Sequence, residues 1–138
     1  MKKVLFVSDD EDMIGRLQTR IDRDYPSVDL VPIFETTVEQ AYQKTSQHVG
    51  EADAIFFDLI WEQDPREWPG LTYIYENLKD DIPEETLVGV LTRVGRDSRI
   101  TKICREYEIP VEYTGSLWFP DGKAAIAAVM RDLGVPVP

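Results

Sequence analysis

A run of polar residues that could take part in chemistry, SDDED at positions 8–12, follows directly after an apolar stretch near the start of the chain. A lone carboxylate, Asp58, follows a second apolar stretch, AIFF at 54–57. Carboxylates that share a pocket repel one another, and a hard divalent cation is the usual remedy. If the two stretches are neighbouring strands, Asp9 and Asp58, with Asp10 as a further candidate, predict a site for Mg²⁺.

A hydroxyl group, that of Thr92, ends a further apolar stretch and is followed by Arg93. Thr92 is a candidate donor to an anion held near the metal, although an ordinary threonine at the end of a strand gives the same sequence pattern. Asp10 and Asp12 also have a structural alternative, because an acid at this position often caps the next helix. Capping explains Asp58 poorly, since no helix is predicted directly after it.

The elements that would position these residues alternate regularly. Short apolar runs are separated by stretches in which apolar residues recur at helical spacing, which predicts five strands and five helices. This alternation is typical of an α/β fold in which a parallel sheet carries helices on both faces, a doubly wound three-layer sandwich. The predicted strands cover residues 4–7, 28–34, 54–57, 86–92 and 109–114.

Two residues mark special positions in this predicted fold. Pro32 lies inside the second strand and has no N–H to donate, so this strand is expected at an edge of the sheet. Gly134 follows the last helical stripe and is expected to end that helix. In folds of this class, ligands bind at the carboxyl ends of the strands, where Asp9, Asp58 and Thr92 are predicted to lie.

The length of 138 residues fits one domain over residues 1–138, and the formal net charge is −11. Such an acidic chain is a poor candidate for binding nucleic acid or an anionic membrane through its general field. The first apolar run is too short for a signal peptide or a membrane span, so we expect a cytoplasmic protein. The single cysteine, Cys104, has no partner for an intramolecular disulfide and is expected in the core.

The order of these motifs resembles that of the receiver domain of two-component response regulators. The resemblance covers residues 3–133 and is carried by KVLFVSDDED, AIFFDLIW, the PGL at 69–71 and LVGVLT. It implies a flavodoxin-like (βα)5 fold, a five-stranded parallel sheet of order 2-1-3-4-5. It also implies that Mg²⁺ is bound and that a histidine kinase or a phosphotransfer protein delivers a phosphoryl group to the chain.

The resemblance gives each candidate residue a role. Asp58 corresponds to the phosphoacceptor, and Thr92 to the switch hydroxyl that locks the phosphorylated state. Asp9 and Asp10, together with Asp58 and the backbone carbonyl of Ile60, correspond to the metal ligands. An aspartate carboxylate is a sound nucleophile when a metal and fixed donors spread the phosphoryl charge.

The sequence departs from the receiver pattern in three places. Ser8 stands where the first acid of the usual pair is found, and residues 114–116 contain no lysine, although a lysine usually follows the fifth strand. Arg93 or Lys123 is a candidate to replace that lysine as a phosphate contact. The loop WEQDPREWPG at 61–70 is longer than usual, and its tryptophans either cover the pocket, bind a partner or pack against the neighbouring helix.

The sequence therefore predicts a receiver-like signalling domain that is not an enzyme and has no attached output domain. We expect it to signal through the face of the fourth helix, fifth strand and fifth helix, either to a downstream protein or to a second copy in a homodimer. Tyr113 in the predicted fifth strand is either a switch aromatic or an ordinary half-buried tyrosine. Neither nucleic acid nor a membrane is an expected partner.

Three alternatives stay open. A degenerate receiver would use the same fold to bind partners without phosphorylation. A metal-dependent phosphatase would need an acid two residues after the nucleophile, where the chain has Ile60, which cannot transfer a proton. A flavin or nucleotide carrier would need a phosphate-cradling loop after the first strand, where the acids of this chain would repel the phosphate.

Overall fold

A five-stranded sheet forms the centre of the protein. The computed structural model describes residues 1–58, 69–93 and 98–138. The strands are β1 (Lys2–Ser8), β2 (Val28–Phe34), β3 (Ala54–Phe57), β4 (Leu87–Thr92) and β5 (Thr114–Ser116). The helices are α1 (Glu11–Asp24), α2 (Val38–Ser46), α3 (Pro69–Leu78), α4 (Ser98–Glu106) and α5 (Pro120–Asp132). All strand pairs are parallel and their order is β2-β1-β3-β4-β5, which confirms the predicted fold class and strand order.

The two faces of the sheet carry separate hydrophobic cores, because successive side chains of a strand point to opposite faces. In β1, Val4 and Phe6 join a core formed with α1 and α5, whereas Leu5 and Val7 join a core formed with α2, α3 and α4. The central strands are therefore apolar at every position, as sheets covered on both faces require. Cys104 of α4 is buried in the second core, as expected.

Pro32 and Gly134 both lie where their chemistry predicts. Among the described residues, strand β2, which contains Pro32, pairs with β1 alone and forms one edge of the sheet. Gly134 follows α5 with a φ of 79°, a left-handed conformation that glycine adopts without strain. The N–H of Gly134 donates to the carbonyl of Arg131, and that of Val135 donates to the carbonyl of Met130, so the last carbonyls of the helix are satisfied.

The fifth strand exists where the strand order predicts it, but its predicted bounds, residues 109–114, are wrong except for Thr114. The observed strand β5 is Thr114–Ser116, and the preceding residues Val111–Tyr113 form a 3₁₀ turn instead. The N–H of Tyr113 donates to the carbonyl of Pro110, and the hydroxyl of Thr114 donates to the carbonyl of Val111. The apolar and β-branched residues of this segment therefore resemble a strand in sequence, although Val111–Tyr113 form a turn in which Val111 is exposed.

The true β5 is hard to predict because its sequence, TGS, has little strand propensity. The small residues of β5 instead allow close packing against α5. A Cβ on Gly115 would overlap the carbonyl group of Asp121, and a Cβ on Gly122 would overlap the carbonyl group of Ser116. The absence of a side chain at both positions lets the backbone of β5 touch the first turn of α5.

Within the part of the chain that the structure describes, no helix combines the length and the apolar character needed to cross a membrane.

The close contact between β5 and α5 predicts that Gly122→Ala is destabilising. The added methyl group would meet the backbone of Ser116, which cannot move aside as a side chain could, so we expect the free energy of unfolding to fall by about 1–3 kcal/mol. Gly15→Ala is the matched control, because a Cβ there meets nothing within 4 Å and alanine favours the helix by about 1 kcal/mol. Urea unfolding of both variants measures the difference, and equal stabilities would contradict this account of the contact.

Candidate functional site

Asp58 lies at the carboxyl end of the middle strand and is fully buried. Its N–H donates to the carbonyl of Val7 over 2.9 Å, which extends the ladder between β1 and β3 by one residue beyond the strand. Val7 is registered with Phe57, so Ser8 and Asp58 come next on their strands and face each other across the crevice. The neighbouring strands thus bring together two residues that are fifty positions apart in the sequence.

The side chains of Ser8 and Asp58 are hydrogen bonded. The Ser8 hydroxyl donates to Oδ2 of Asp58 over 2.8 Å, and both residues are completely buried. A hydrogen bond to a carboxylate is roughly twice as strong as one between neutral groups. The Ser8 oxygen in turn accepts from the N–H of Asp10 at 3.0 Å, so its hydroxyl is engaged both as donor and as acceptor.

Asp10 faces α1 and Arg93. Its Oδ1 accepts hydrogen bonds from the N–H groups of Asp12 and Met13, which makes it the N-cap of the helix, the structural alternative considered for it from the sequence. Its Oδ2 lies 3.1 Å from Nη1 of Arg93. Both carboxylate oxygens of Asp10 therefore have partners.

A continuous line of contacts follows from these bonds. Arg93 at the end of β4 binds Asp10, the N–H of Asp10 binds Ser8 at the end of β1, and Ser8 binds Asp58 at the end of β3. The line joins three adjacent strands at the carboxyl edge of the sheet. The buried carboxyl group of Asp58 therefore has a hydrogen-bond donor from the neighbouring strand.

The described residues show no complete set of side-chain ligands for the expected magnesium site. No group of three histidine, cysteine, aspartate or glutamate side chains in residues 1–58, 69–93 and 98–138 is arranged to hold a metal ion. Ser8 supplies a hydroxyl where a second acid would be needed beside Asp58, and Asp10 is engaged by the helix and by Arg93. Asp9 is half-buried next to Ser8 and has partners of its own. Ile60, the expected carbonyl ligand, lies outside the described residues.

Thr92 is buried at the end of β4, opposite Ser116 of β5. Its carbonyl accepts a hydrogen bond of 3.2 Å from the N–H of Leu117. Ser116, which ends β5, is also fully buried, and its hydroxyl accepts from the N–H of Trp118 at 3.2 Å. A small hydroxyl residue and Leu117 thus occupy the end of β5 where the receiver pattern has a lysine.

The two cations considered as replacements for that lysine lie in different places. Arg93 is held beside the crevice by Asp10. Lys123 is exposed on α5, and its positive charge contributes to lowering the pKa of Asp24, whose main cause is the hydrogen bond from Arg23. Of the two, Arg93 is therefore the one that the structure connects to Asp58.

Tyr113 precedes β5, so the prediction that it lies within a strand is wrong. Its ring is buried in the core beneath α5, and its hydroxyl donates a hydrogen bond to Oδ2 of Asp132 at the end of that helix. Thr92 lies opposite the last residue of β5, whereas Tyr113 comes before the first. Burial, followed by the hydrogen bond to Asp132, raises the pKa of Tyr113 to about 12.

A contact between Arg16 and Trp118 is not predicted by the sequence motifs. The guanidinium carbon of Arg16 lies 4.4 Å from the centre of the Trp118 ring, a cation–π contact between α1 and the turn before α5. Charge spacing along α1 would have indicated the arginine, but nothing in the sequence places Trp118 over it. The tryptophans of the longer loop, Trp61 and Trp68, lie outside the described residues.

Comparison with known proteins gives no relative. No model of a protein family matches the chain, and neither curated proteins nor solved structures match it significantly. The likeness to receiver domains therefore depends on the order of the motifs and on the fold class.

The role of Ser8 predicts the behaviour of Ser8→Asp. A second carboxylate beside Asp58 would place two buried negative charges together, so we expect the free energy of unfolding to fall by about 3 kcal/mol. Millimolar Mg²⁺ should restore much of this loss, because a cation that binds only the folded state stabilises it. Ser8→Asn, which adds no charge, is the control and should not respond to Mg²⁺ in thermal unfolding. An equal response of the unmodified protein would contradict this account, because it would show that residue 8 need not be an acid for Mg²⁺ to bind.

The hydrogen bond of Tyr113 predicts a pH-dependent effect of Tyr113→Phe. Removing the hydroxyl should lower the free energy of unfolding by about 1 kcal/mol at neutral pH. Because the folded-state pKa is raised to about 12 from its usual value near 10, the contribution of the protonated phenol is complete below pH 10 and disappears as the pH approaches 12. Urea unfolding of both proteins at several pH values should show the difference shrinking over that interval.

Proposed function

We propose that this chain is a receiver-like signalling domain in which Asp58 accepts a phosphoryl group from a histidine kinase or a phosphotransfer protein. The observation that carries the proposal is the buried Asp58 carboxylate at the end of the middle strand, beside the Ser8 hydroxyl. The strand order supports it, because the carboxyl ends of β1, β3 and β4 then share one crevice.

The chemistry of the transfer is an in-line attack of one Asp58 carboxylate oxygen on the phosphorus of a phosphohistidine. The new P–O bond forms an acyl phosphate while the P–N bond breaks, and the released imidazole takes up a proton. The Ser8 hydroxyl, which now donates to Asp58, can rotate to donate to a phosphoryl oxygen instead. Arg93 lies next to this place and would exchange part of its contact with Asp10 for the more highly charged phosphoryl group.

The exchange of partners at Arg93 would let phosphorylation of Asp58 change the structure elsewhere in the domain. Asp10 caps α1, so weakening its ion pair with Arg93 would alter the contact between the end of β4 and the start of that helix. We place the output on the surface of α4, β5 and α5 or on a second copy of the chain, and we place the protein in the cytoplasm together with its kinase. Thr92 remains the proposed switch hydroxyl.

A second candidate function is that of a degenerate receiver, which binds its partners without phosphorylation. Two observations favour it. Ser8 already donates to Asp58, and Asp10 is already paired with the helix and with Arg93, so these polar groups have partners within the chain. A phosphatase is a weaker candidate, because it would need a general acid at residue 60, which is isoleucine.

Phosphorylation is tested by incubation with acetyl phosphate, with and without Mg²⁺, followed by intact mass measurement. We expect the mass of one phosphoryl group to be added to the unmodified protein and not to Asp58→Asn. Arg93→Ala should shorten the half-life of the adduct several-fold, since Arg93 stabilises the phosphoryl charge.

The controls separate the two candidate functions. Arg105→Ala, which removes an exposed arginine of α4 instead, should leave the half-life unchanged. An unmodified protein that gains no adduct under either condition would favour the degenerate receiver. An adduct that persists in Asp58→Asn would refute Asp58 as the acceptor.

A further inference from the structure

A groove of about 630 Å³ runs along α1 and is separate from the crevice at Asp58. Glu11 and Asp12 line it near the start of the helix. Its other lining residues define what we call the arginine groove: Gly15, Arg16, Thr19, Arg20, Arg23 and Leu117. Neither the glycine nor the threonine fills the space between the arginines, so the groove stays open along the helix.

The three arginines share one side of the helix. Arg16, Arg20 and Arg23 are separated by four and then three residues, the spacing that stacks side chains along a helix face. The span from Arg16 to Arg23 is about 10 Å at the usual rise of a helix. This row of positive charge stands out on a chain whose net charge is −11.

The three guanidinium groups are not equally satisfied. Arg16 bonds Asp12 through Nε at 3.1 Å, and Arg23 binds both carboxylate oxygens of Asp24 at 2.9 and 3.0 Å. Arg20 lies between them, and its Nη1 is buried with no hydrogen-bond partner among the residues that the structure describes. A buried donor without an acceptor is costly, and a carboxylate from outside the chain would relieve that cost.

The ion pairs of Arg16 with Asp12 and of Arg23 with Asp24 only weakly oppose the binding of an external carboxylate. Both ion pairs are exposed at the arginine, where an ion pair contributes little and is easily exchanged. Lys123 on α5 adds a further positive charge within electrostatic reach of Asp24, at the Arg23 end of the groove. The groove therefore offers a line of cations to an incoming anion.

The rim of the groove is aromatic. Trp118 is 43% exposed and Phe119 is 52% exposed, and both follow Leu117, which lines the groove. The Trp118 ring lies against the guanidinium group of Arg16, so aromatic and positive surfaces are continuous. Tryptophan and arginine are the residues most enriched where a few side chains dominate protein–protein binding.

We propose that the arginine groove binds an acidic segment of a partner protein, with Trp118 and Phe119 contacting apolar side chains of the same segment. The charge complementarity selects the segment, since carboxylates spaced along it would meet the row of arginines. The exposed aromatic rim favours a peptide segment over a small anion, which would leave Trp118 and Phe119 uncovered. A second copy of this chain is disfavoured as the occupant, because two molecules of net charge −11 repel each other. The proposal does not require phosphorylation of Asp58.

The test uses fluorescence anisotropy with a labelled helical peptide that carries glutamate and leucine on one face. Its control is the same peptide with glutamine in place of glutamate. We expect the glutamate peptide to bind the unmodified protein at least about tenfold more tightly, with an affinity that falls as salt rises, because charge dominates recognition. Asp58→Asn should bind equally well, which separates this proposal from the proposed function.

Three variants locate the site. Arg20→Gln and Trp118→Ser should each weaken binding about tenfold, whereas Arg105→Gln on α4 should leave it unchanged. Urea unfolding shows whether each variant is folded, and Arg16→Gln replaces any that is not.

Equal binding of both peptides, or equal loss in Arg105→Gln and Arg20→Gln, would overturn the proposal. Full displacement of the peptide by pyrophosphate at matched ionic strength would also overturn it in favour of a small anion, and concentration-dependent self-association in sedimentation that the peptide reverses would do so in favour of a second copy.

Discussion

The buried carboxyl group of Asp58 is the constraint around which the carboxyl edge of the sheet is organised. A carboxylate taken out of water costs several kcal/mol unless donors meet it. Here the donor, Ser8, comes from the adjacent strand, which is possible only because β1 lies directly beside β3. The strand order of the fold thus supplies the hydrogen-bond donor that Asp58 needs.

The identity of residue 8 decides what kind of site this edge forms. An acid there would add charge to the crevice and create a demand for a cation, whereas a hydroxyl donates a hydrogen bond to Asp58 and accepts one from the N–H of Asp10. Two positions further on, Asp10 is the cap of α1 and the partner of Arg93. With a hydroxyl at residue 8, Asp58 therefore has a hydrogen-bond donor from within the chain.

The fold was predictable from the sequence wherever burial on both faces leaves a continuous apolar run, as in β1 and β3. The position of β2 was predictable because Pro32 excludes a central strand. By contrast, β5 was not predictable, since its three small residues are selected for backbone contact with α5 and carry no strand pattern. In the site, strand ends predicted the place of Asp58 and Thr92. The spacing of residues does not decide whether Asp10 caps α1 or faces a metal ion, so the direction of its side chain could not be predicted.

Both borders of the sheet are poorly suited to joining another sheet. On one side, Pro32 interrupts the outward row of backbone donors in β2, and on the other, β5 is only three residues long. Exposed, regular strand edges are the usual templates for aggregation and for continuous sheets between subunits, and proline and short edge strands prevent both. Any assembly that this chain forms should therefore be built on its helices and turns, so that association can be tuned by side chains without the risk of open-ended strand addition.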